Sequence, residues 1–438
     1  MQLRLILSAL SSIAFAANYV PEFGYVRPLT IKGNKFFESE KGNEFRVKGI
    51  SMYPRANTGA LSDANSVDWF TNEMEGIWRP QLEHLRALGA NTIRIYAIDP
   101  TKNHDLFMCA LSMLGMYAFV GISAACDGCH LVDVPAPACY PPEMLTRAQM
   151  VYNAMAVYDN VIGFSVGNEN NFGKSVELSA PCVKALIRDV RAYAQYCGGY
   201  IRPVPIGLDI ADVNTEAHPR SSWLAYYDCL KDNNENTRAE WIGLNQYVEC
   251  DAQKDLSYSQ SAGLQKLISD FAHSNYSRPI VFGEFGCIKI SNTINNVEQQ
   301  RTFLEAKWMN TEPDMTEYVV GGNAFEYSVE KVNLINKNGT IYSQNEYKHD
   351  VATPPFASAD AGRYGIGYFT PSNCDFNTIP CVYNKYPEFD NLGKVYNATP
   401  ASDLNVTAFT PNRTEVLKCP ADFSKGALPD TPNGKREA

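Results

Sequence analysis

The 438-residue sequence is short of positive charge: 38 Lys and Arg stand against 48 Asp and Glu, a net charge of −10. A nucleic-acid partner wants a basic face, so the balance argues against one. Histidine is scarce, with six in all, and no two form the His-x-x-x-His pair of a helical zinc site. Cys126-Asp127-Gly128-Cys129 has the spacing of a redox or zinc motif. It stands without a second such motif at zinc-ligand spacing, which favours loop disulfides, so no metal and no other cofactor is expected. Long apolar runs are missing beyond the first residues, which argues against a transmembrane segment. The one apolar stretch at the start, Leu5 to Phe15, follows Arg4 and ends in Ala14-Phe15-Ala16. That pattern predicts a secretory signal peptide over residues 1–16. Gly426 to Ala438 is polar and lacks the hydrophobic end of a lipid-anchor signal. A secreted, extracellular or surface location is therefore expected.

What is present agrees with export. Twelve cysteines, an even number, suggest a disulfide framework. Asn-x-Ser/Thr acceptor sites for glycosylation occur at Asn275, Asn338, Asn397, Asn405 and Asn412, and three of them crowd the C-terminal region. A hydrophobic fraction of 45% is ordinary for a globular protein. The length suffices for one large barrel with appendages or for two to three domains.

Order along the chain narrows this. Short apolar runs predict eight strands, at 45–52, 91–96, 116–123, 161–169, 203–210, 241–247, 279–286 and 321–328. Amphipathic patterns lie between most of them. Trp78 to Gly89 is one, closed by a glycine C-cap, and Val183 to Tyr196 is another. Strands alternating with helices at this spacing predict a (β/α)8 TIM barrel. The barrel is assigned to residues 17–350. Residues 351–438, with Cys374, Cys381 and Cys419, are expected to form a small disulfide-containing extension packed beside it, followed by a polar tail.

Two strands end in an anomaly. Val161-Ile162-Gly163-Phe164-Ser165-Val166-Gly167 is apolar or small throughout, then stops at Asn168-Glu169. Pro279-Ile280-Val281-Phe282-Gly283 likewise runs into Glu284. In a parallel barrel the C-terminal ends of the strands form the active-site mouth, so Glu169 and Glu284 would share it from the fourth and seventh strands. A single strand-end glutamate is usually a solvated loop carboxylate; a pair in this placement predicts acetal cleavage with retention. One carboxylate attacks the sugar carbon, and the other protonates the leaving oxygen and later deprotonates the acceptor. The surroundings must then hold two like residues at different pKa values. We assign Glu284 as nucleophile, Glu169 as acid/base and Asn168 as the partner of the sugar 2-hydroxyl.

At this point the sequence resembles a known family. The Asn-Glu and Glu strand ends resemble the large clan of retaining glycosidases built on (β/α)8 barrels. Gly33-Asn34-Lys35-Phe36-Phe37, Asn91 to Pro100, Gly163 to Glu169, Ile187-Arg188-Asp189-Val190-Arg191, Gly243-Leu244-Asn245-Gln246-Tyr247, Gly283 to Cys287 and Phe325-Glu326-Tyr327-Ser328 are similar to segments of glycoside hydrolase family 72. That family comprises fungal-type β-1,3-glucanosyltransferases of cell-wall assembly. The resemblance implies cutting inside a β-1,3-glucan, holding the new reducing end as a glycosyl-enzyme, and passing it to a second glucan chain. β-1,3-Glucan would thus be both donor and acceptor, with the protein acting as a monomer. The resemblance also implies that Tyr96, Tyr247 and Tyr327 bind substrate or the nucleophile, and that Arg94 orients Glu284. Cys250 and Cys287, at adjacent strand ends, are the expected disulfide there.

The sequence also departs from the family pattern. Met52-Tyr53-Pro54 replaces a usual Tyr-Gln, Ser123 stands where an Asp is common, and Val248-Glu249-Cys250 replaces Glu-Trp-Cys. The loop from Ala124 to Pro142 is atypical and holds Cys126, Cys129 and Cys139. Cys109 lacks its usual family partner, leaving it free or paired to that loop. Three readings follow: a transferase, a hydrolase on the same barrel, and a glucan-binding protein with little turnover. The intact Asn168, Glu169 and Glu284 argue against the third.

Overall fold

The computed structural model describes residues 25–59, 67–172, 176–249, 256–287, 301–329, 364–421 and 426–432. The expected signal segment, Cys250 and Asn338 lie outside the described residues. Eight strands form a closed barrel: Val47–Ser51, Thr92–Ile95, Tyr117–Gly121, Val161–Asn168, Ile206–Ala211, Ile242–Asn245, Ile280–Phe285 and Val319–Ala324. Each pairs in parallel with its neighbours in chain order, and the eighth closes back onto the first. The predicted strands are found in place, with ends shifted by a few residues because the apolar runs continue into the loops of the mouth.

Helices cover the outside. Leu82–Leu88 ends at Gly89 with φ +73°, the left-handed cap the sequence predicts. Its approach is broken into short turns at 75–78 and 79–81, since Pro80 has no N–H to continue a ladder. The helix expected from Val183 starts earlier and spans Val176–Tyr196, with Pro181 inside it. No described helix is long and apolar enough to cross a membrane.

The two ends of the barrel are finished by the chain's flanks. A three-stranded antiparallel sheet, Leu29–Lys32, Lys35–Glu38 and Glu44–Phe45, precedes the first barrel strand. Its Phe36 and Phe45 pack on Phe119 and Tyr117, with ring centroids 6.2 and 4.8 Å apart. Together with Val47, Ile162, Trp241, Val281 and Val320 they form a separate apolar cluster that plugs the bottom. Residues 364–421 lie along the barrel. Helix Pro387–Ala398 packs against Leu82–Leu88 and Leu304–Thr311. The Tyr396 hydroxyl donates to Gly49 O at 2.7 Å, and Lys48 Nζ to Tyr396 O at 3.0 Å.

Described disulfides join Cys126–Cys129, Cys139–Cys182, Cys229–Cys419 and Cys374–Cys381. The first agrees with the loop-disulfide reading. Cys287 is disulfide-bonded, while its expected partner Cys250 is outside the described residues. Cys109 is a free, exposed thiol, since Cys139 of the 124–142 loop is taken by Cys182. Among the glycosylation candidates, Asn275, Asn397 and Asn412 are exposed; Asn405 is half-buried and its amide donates to Lys41 O.

Candidate active site

Both glutamates reach the mouth because their strands break pleat. Side chains alternate along a regular strand, so neighbours point to opposite faces. Val281 faces the barrel's inner cluster and Phe282 the outer one. A register shift then falls between Val281 and Glu284, and another between Ser165 and Asn168 on the fourth strand. Such irregularities re-aim side chains beside active sites. Glu169 adds a left-handed backbone, with φ +55°. That conformation is uncommon for a residue with a Cβ and is held here by the bonds from Glu169 N to Asp209 O and from Phe172 N to Glu169 O.

Glu284 is bonded through both of its carboxylate oxygens. Its Oε1 accepts from the Tyr96 hydroxyl at 2.6 Å and from Arg94 Nη1 at 2.8 Å. Its Oε2 accepts from the Tyr247 hydroxyl at 2.7 Å. Burial raises the pKa of both phenols well above their ordinary value, so they stay protonated and donate. Both of its oxygens are thus engaged, Oε1 by a cation and a phenol and Oε2 by a second phenol. Glu169 accepts a single described bond, from Asn245 Nδ2 at 2.8 Å. Burial raises its pKa first, and the charge of Glu284 raises it further; the Asn245 bond and Arg94 act in the opposite sense. The two carboxyls thus sit in different surroundings, one held by a cation and two phenols and the other by a single amide.

Asn168 is exposed at the same rim. Its Oδ1 accepts from Arg94 Nη2 at 2.7 Å and from Asn245 Nδ2 at 3.0 Å. With the oxygen engaged twice, the amide N–H2 is the part free to donate toward a ligand. Glu169, Glu284, Asn168, Tyr96 and Tyr247 all line one cleft of about 810 Å³. Arg94 lies beneath it and bonds to Glu284 and Asn168. Tyr327 is a correction: it is fully buried, donates to Gln81 Oε1 at 2.7 Å and stacks on Tyr383, so it supports the wall and does not face the cleft. Three residues beyond the end of the eighth strand, the chain has already turned behind the mouth.

Other residues of the cleft were not assigned from sequence. The Tyr53 ring centroid lies 4.6 Å from that of Tyr96, and the Arg55 guanidinium lies 4.0 Å from the Tyr53 ring centroid. Arg55 pairs with Glu326 at 3.0 Å, and burial pushes the Glu326 carboxyl up to about 8. Phe325 and Tyr364 line the side of Tyr247, and Phe172 stands 75% exposed on the rim beyond Glu169. Ala124, Ala125, His130 and Leu131 bring the atypical disulfide-bearing loop onto the opposite wall. A high share of aromatic residues with nearby polar groups was the available signal, since flat rings stack on sugar faces. Among the described residues no cluster of His, Cys, Asp or Glu is arranged to hold a metal ion.

Fold and mouth together define a (β/α)8 barrel with paired glutamates at the ends of its fourth and seventh strands. Residues 20–352 match the glycoside hydrolase 72 family profile, described as glucanosyltransferase, and the chain belongs to that family. It is 30% identical over 341 residues to 1,3-beta-glucanosyltransferase GAS2 of Saccharomyces cerevisiae, covering 76% of this chain and 56% of the relative. It is 31% identical to 1,3-beta-glucanosyltransferase PGA4 of Candida albicans, covering 73% and 64%. The chain therefore spans roughly half to two thirds of the length of these curated relatives. The structure of Saccharomyces cerevisiae Gas2p in complex with laminaripentaose superposes with a TM-score of 0.69 at 26% identity, covering 93% of this chain and 78% of that one.

Proposed function

We propose that the protein is a retaining β-1,3-glucanosyltransferase that remodels cell-wall glucan at the cell surface. The observation that carries this is the asymmetry between the two mouth carboxyls: Glu284 is held by Arg94, Tyr96 and Tyr247, while Glu169 is half-buried with one amide donor. Support comes from family membership and from relatives named 1,3-beta-glucanosyltransferase, one of them solved with laminaripentaose.

In the first half-reaction a Glu284 oxygen bonds to the anomeric carbon as the glycosidic bond breaks. The electron pair leaves with the glycosidic oxygen, which takes the proton of Glu169. Asn168 donates to the 2-hydroxyl, a contact that strengthens as the oxocarbenium ion develops. In the second, Glu169 removes a proton from a sugar hydroxyl of the acceptor glucan, whose oxygen displaces Glu284. Rings lining the cleft, such as Tyr53, Phe172 and Tyr364, supply stacking surface for sugars.

A product profile tests the reading. A borohydride-reduced laminari-oligosaccharide is incubated with the purified protein and the products are separated by size. Products longer than the substrate are expected. Shorter products alone would make the protein a hydrolase, and an unchanged substrate with binding retained would overturn the catalytic reading.

A further inference from the structure

Below the mouth lies a further buried carboxylate that the glycosyl transfer does not use. Asp209, on the fifth barrel strand, is 3% exposed, and its Oδ2 is 3.1 Å from Arg94 Nη2. Burial raises its pKa, while Arg94 and the neighbouring Ser165 of the fourth strand act in the opposite sense. Its room is made by two glycines. A Cβ on Gly243 would meet Asp209 Oδ1 at 1.9 Å, and one on Gly283 would meet it at 2.4 Å. The sixth and seventh strands thus both forgo a side chain where this carboxylate sits. The surrounding charges are Arg94 from the second strand, Glu169 from the fourth and Glu284 from the seventh. The third strand brings Phe119, Val120 and Gly121 to the same level and no charge.

We infer that Asp209 is a charge-balancing and positioning residue for the glycosyl transfer, acting through Arg94. The inference rests on the proposed retaining reaction. Arg94 is one cation between two carboxylates, 2.8 Å from Glu284 and 3.1 Å from Asp209. In the resting site the Arg94 and Asp209 charges cancel, and Glu284 carries the remaining negative charge opposite a protonated Glu169. When the glycosyl-enzyme forms, Glu284 becomes a neutral ester and Glu169, its proton gone to the leaving oxygen, becomes the anion. The site keeps the same net charge through the step. Without Asp209, Arg94 would then face an anomeric centre that turns positive on the way in and out with only the Glu169 anion to offset it, which opposes both half-reactions. The Asp209 charge also helps to keep the proton on Glu169 in the resting enzyme.

The test is Asp209→Asn, which keeps the shape and an acceptor for Arg94 while removing the charge. Initial rates on laminari-oligosaccharides are measured across pH beside the unaltered protein. We expect kcat to fall by about ten- to a hundredfold with KM within about twofold, and the basic limb of the profile to move down by roughly one pH unit as Glu169 ionises more readily. An unchanged limb and kcat in a folded variant, or a loss that tracks the melting temperature alone, overturns the inference. Should Asp209→Asn not fold, Asp209→Ser removes the charge with a smaller side chain and is read the same way. An inactive parent protein would count against the proposed function, a result distinguishable from failure of the inference.

Discussion

The lower and upper halves of the barrel interior are built on opposite principles. The lower half is an apolar plug of Phe36, Phe45, Tyr117, Phe119, Trp241 and their neighbours, closed by the sheet that precedes the first strand. The upper half is a buried polar lattice in which Ser51, Arg94, Ser165, Asp209, Asn245 and Glu284 are all under 9% exposed. Burying polar groups is costly unless each finds a partner, and Arg94 alone serves Glu284, Asp209, Asn168, Tyr96 and Asn245. One half stabilises the barrel; the other stores a charge arrangement and depends on the first to hold its geometry.

Breaking the comparison starts with the largest effect. Glu284→Gln should reduce transfer by about 10⁴-fold with the melting temperature nearly unchanged, because an amide cannot form the glycosyl-enzyme. Residual transfer within tenfold of the parent, measured on size-separated products, would remove Glu284 from its assigned role. The lower half should respond in reverse. Phe36→Ala removes a buried ring from the plug and should cost about 3–5 kcal/mol in denaturant unfolding, while the pH–rate profile keeps its shape. A shifted profile would show that the halves are electrostatically coupled after all. The smallest change sharpens the upper half. Asn245→Ala deletes the bond that favours ionised Glu169, so Glu169 holds its proton to higher pH. Activity needs the protonated form, so the basic limb should move up by roughly half to one unit, given about 1 kcal/mol for such a bond. This is opposite in sign to the shift expected for Asp209→Asn, and equal signs would contradict the charge assignment.

Much of the upper half was legible because it sits where strand patterns end. Asn168-Glu169 and Glu284 stand out as polar residues closing apolar runs, and strand order alone puts them in one mouth. Arg94 and Tyr96 alternate with Ile93 and Ile95, a pattern that reads as a strand with one polar face. Asp209 was not assigned from sequence. Within Ile206-Gly207-Leu208-Asp209-Ile210 it is a lone charge in an apolar strand, and only the position of Arg94 three strands away gives it a partner. Tyr327 misled because the sequence distance from the eighth strand does not reveal that the chain turns outward before reaching it. The plug was not read as strands, since its pieces are two to four residues long and carry little periodicity.

Arg301 joins distant parts of the chain with one guanidinium. It donates to Gly286 O and Phe325 O beside the mouth, to Tyr364 O, and to the buried carboxylate of Glu388. The first barrel strand is likewise completed from far away, by Tyr396 at Gly49, and the leading sheet by Ser402 on Glu44 and by the bridge from Asn43 to Asn405. A nascent chain that has just emerged past its eighth strand therefore lacks the groups that finish both ends of the barrel. Synthesis must deliver residues 364–405 before the mouth and the first strand acquire these bonds.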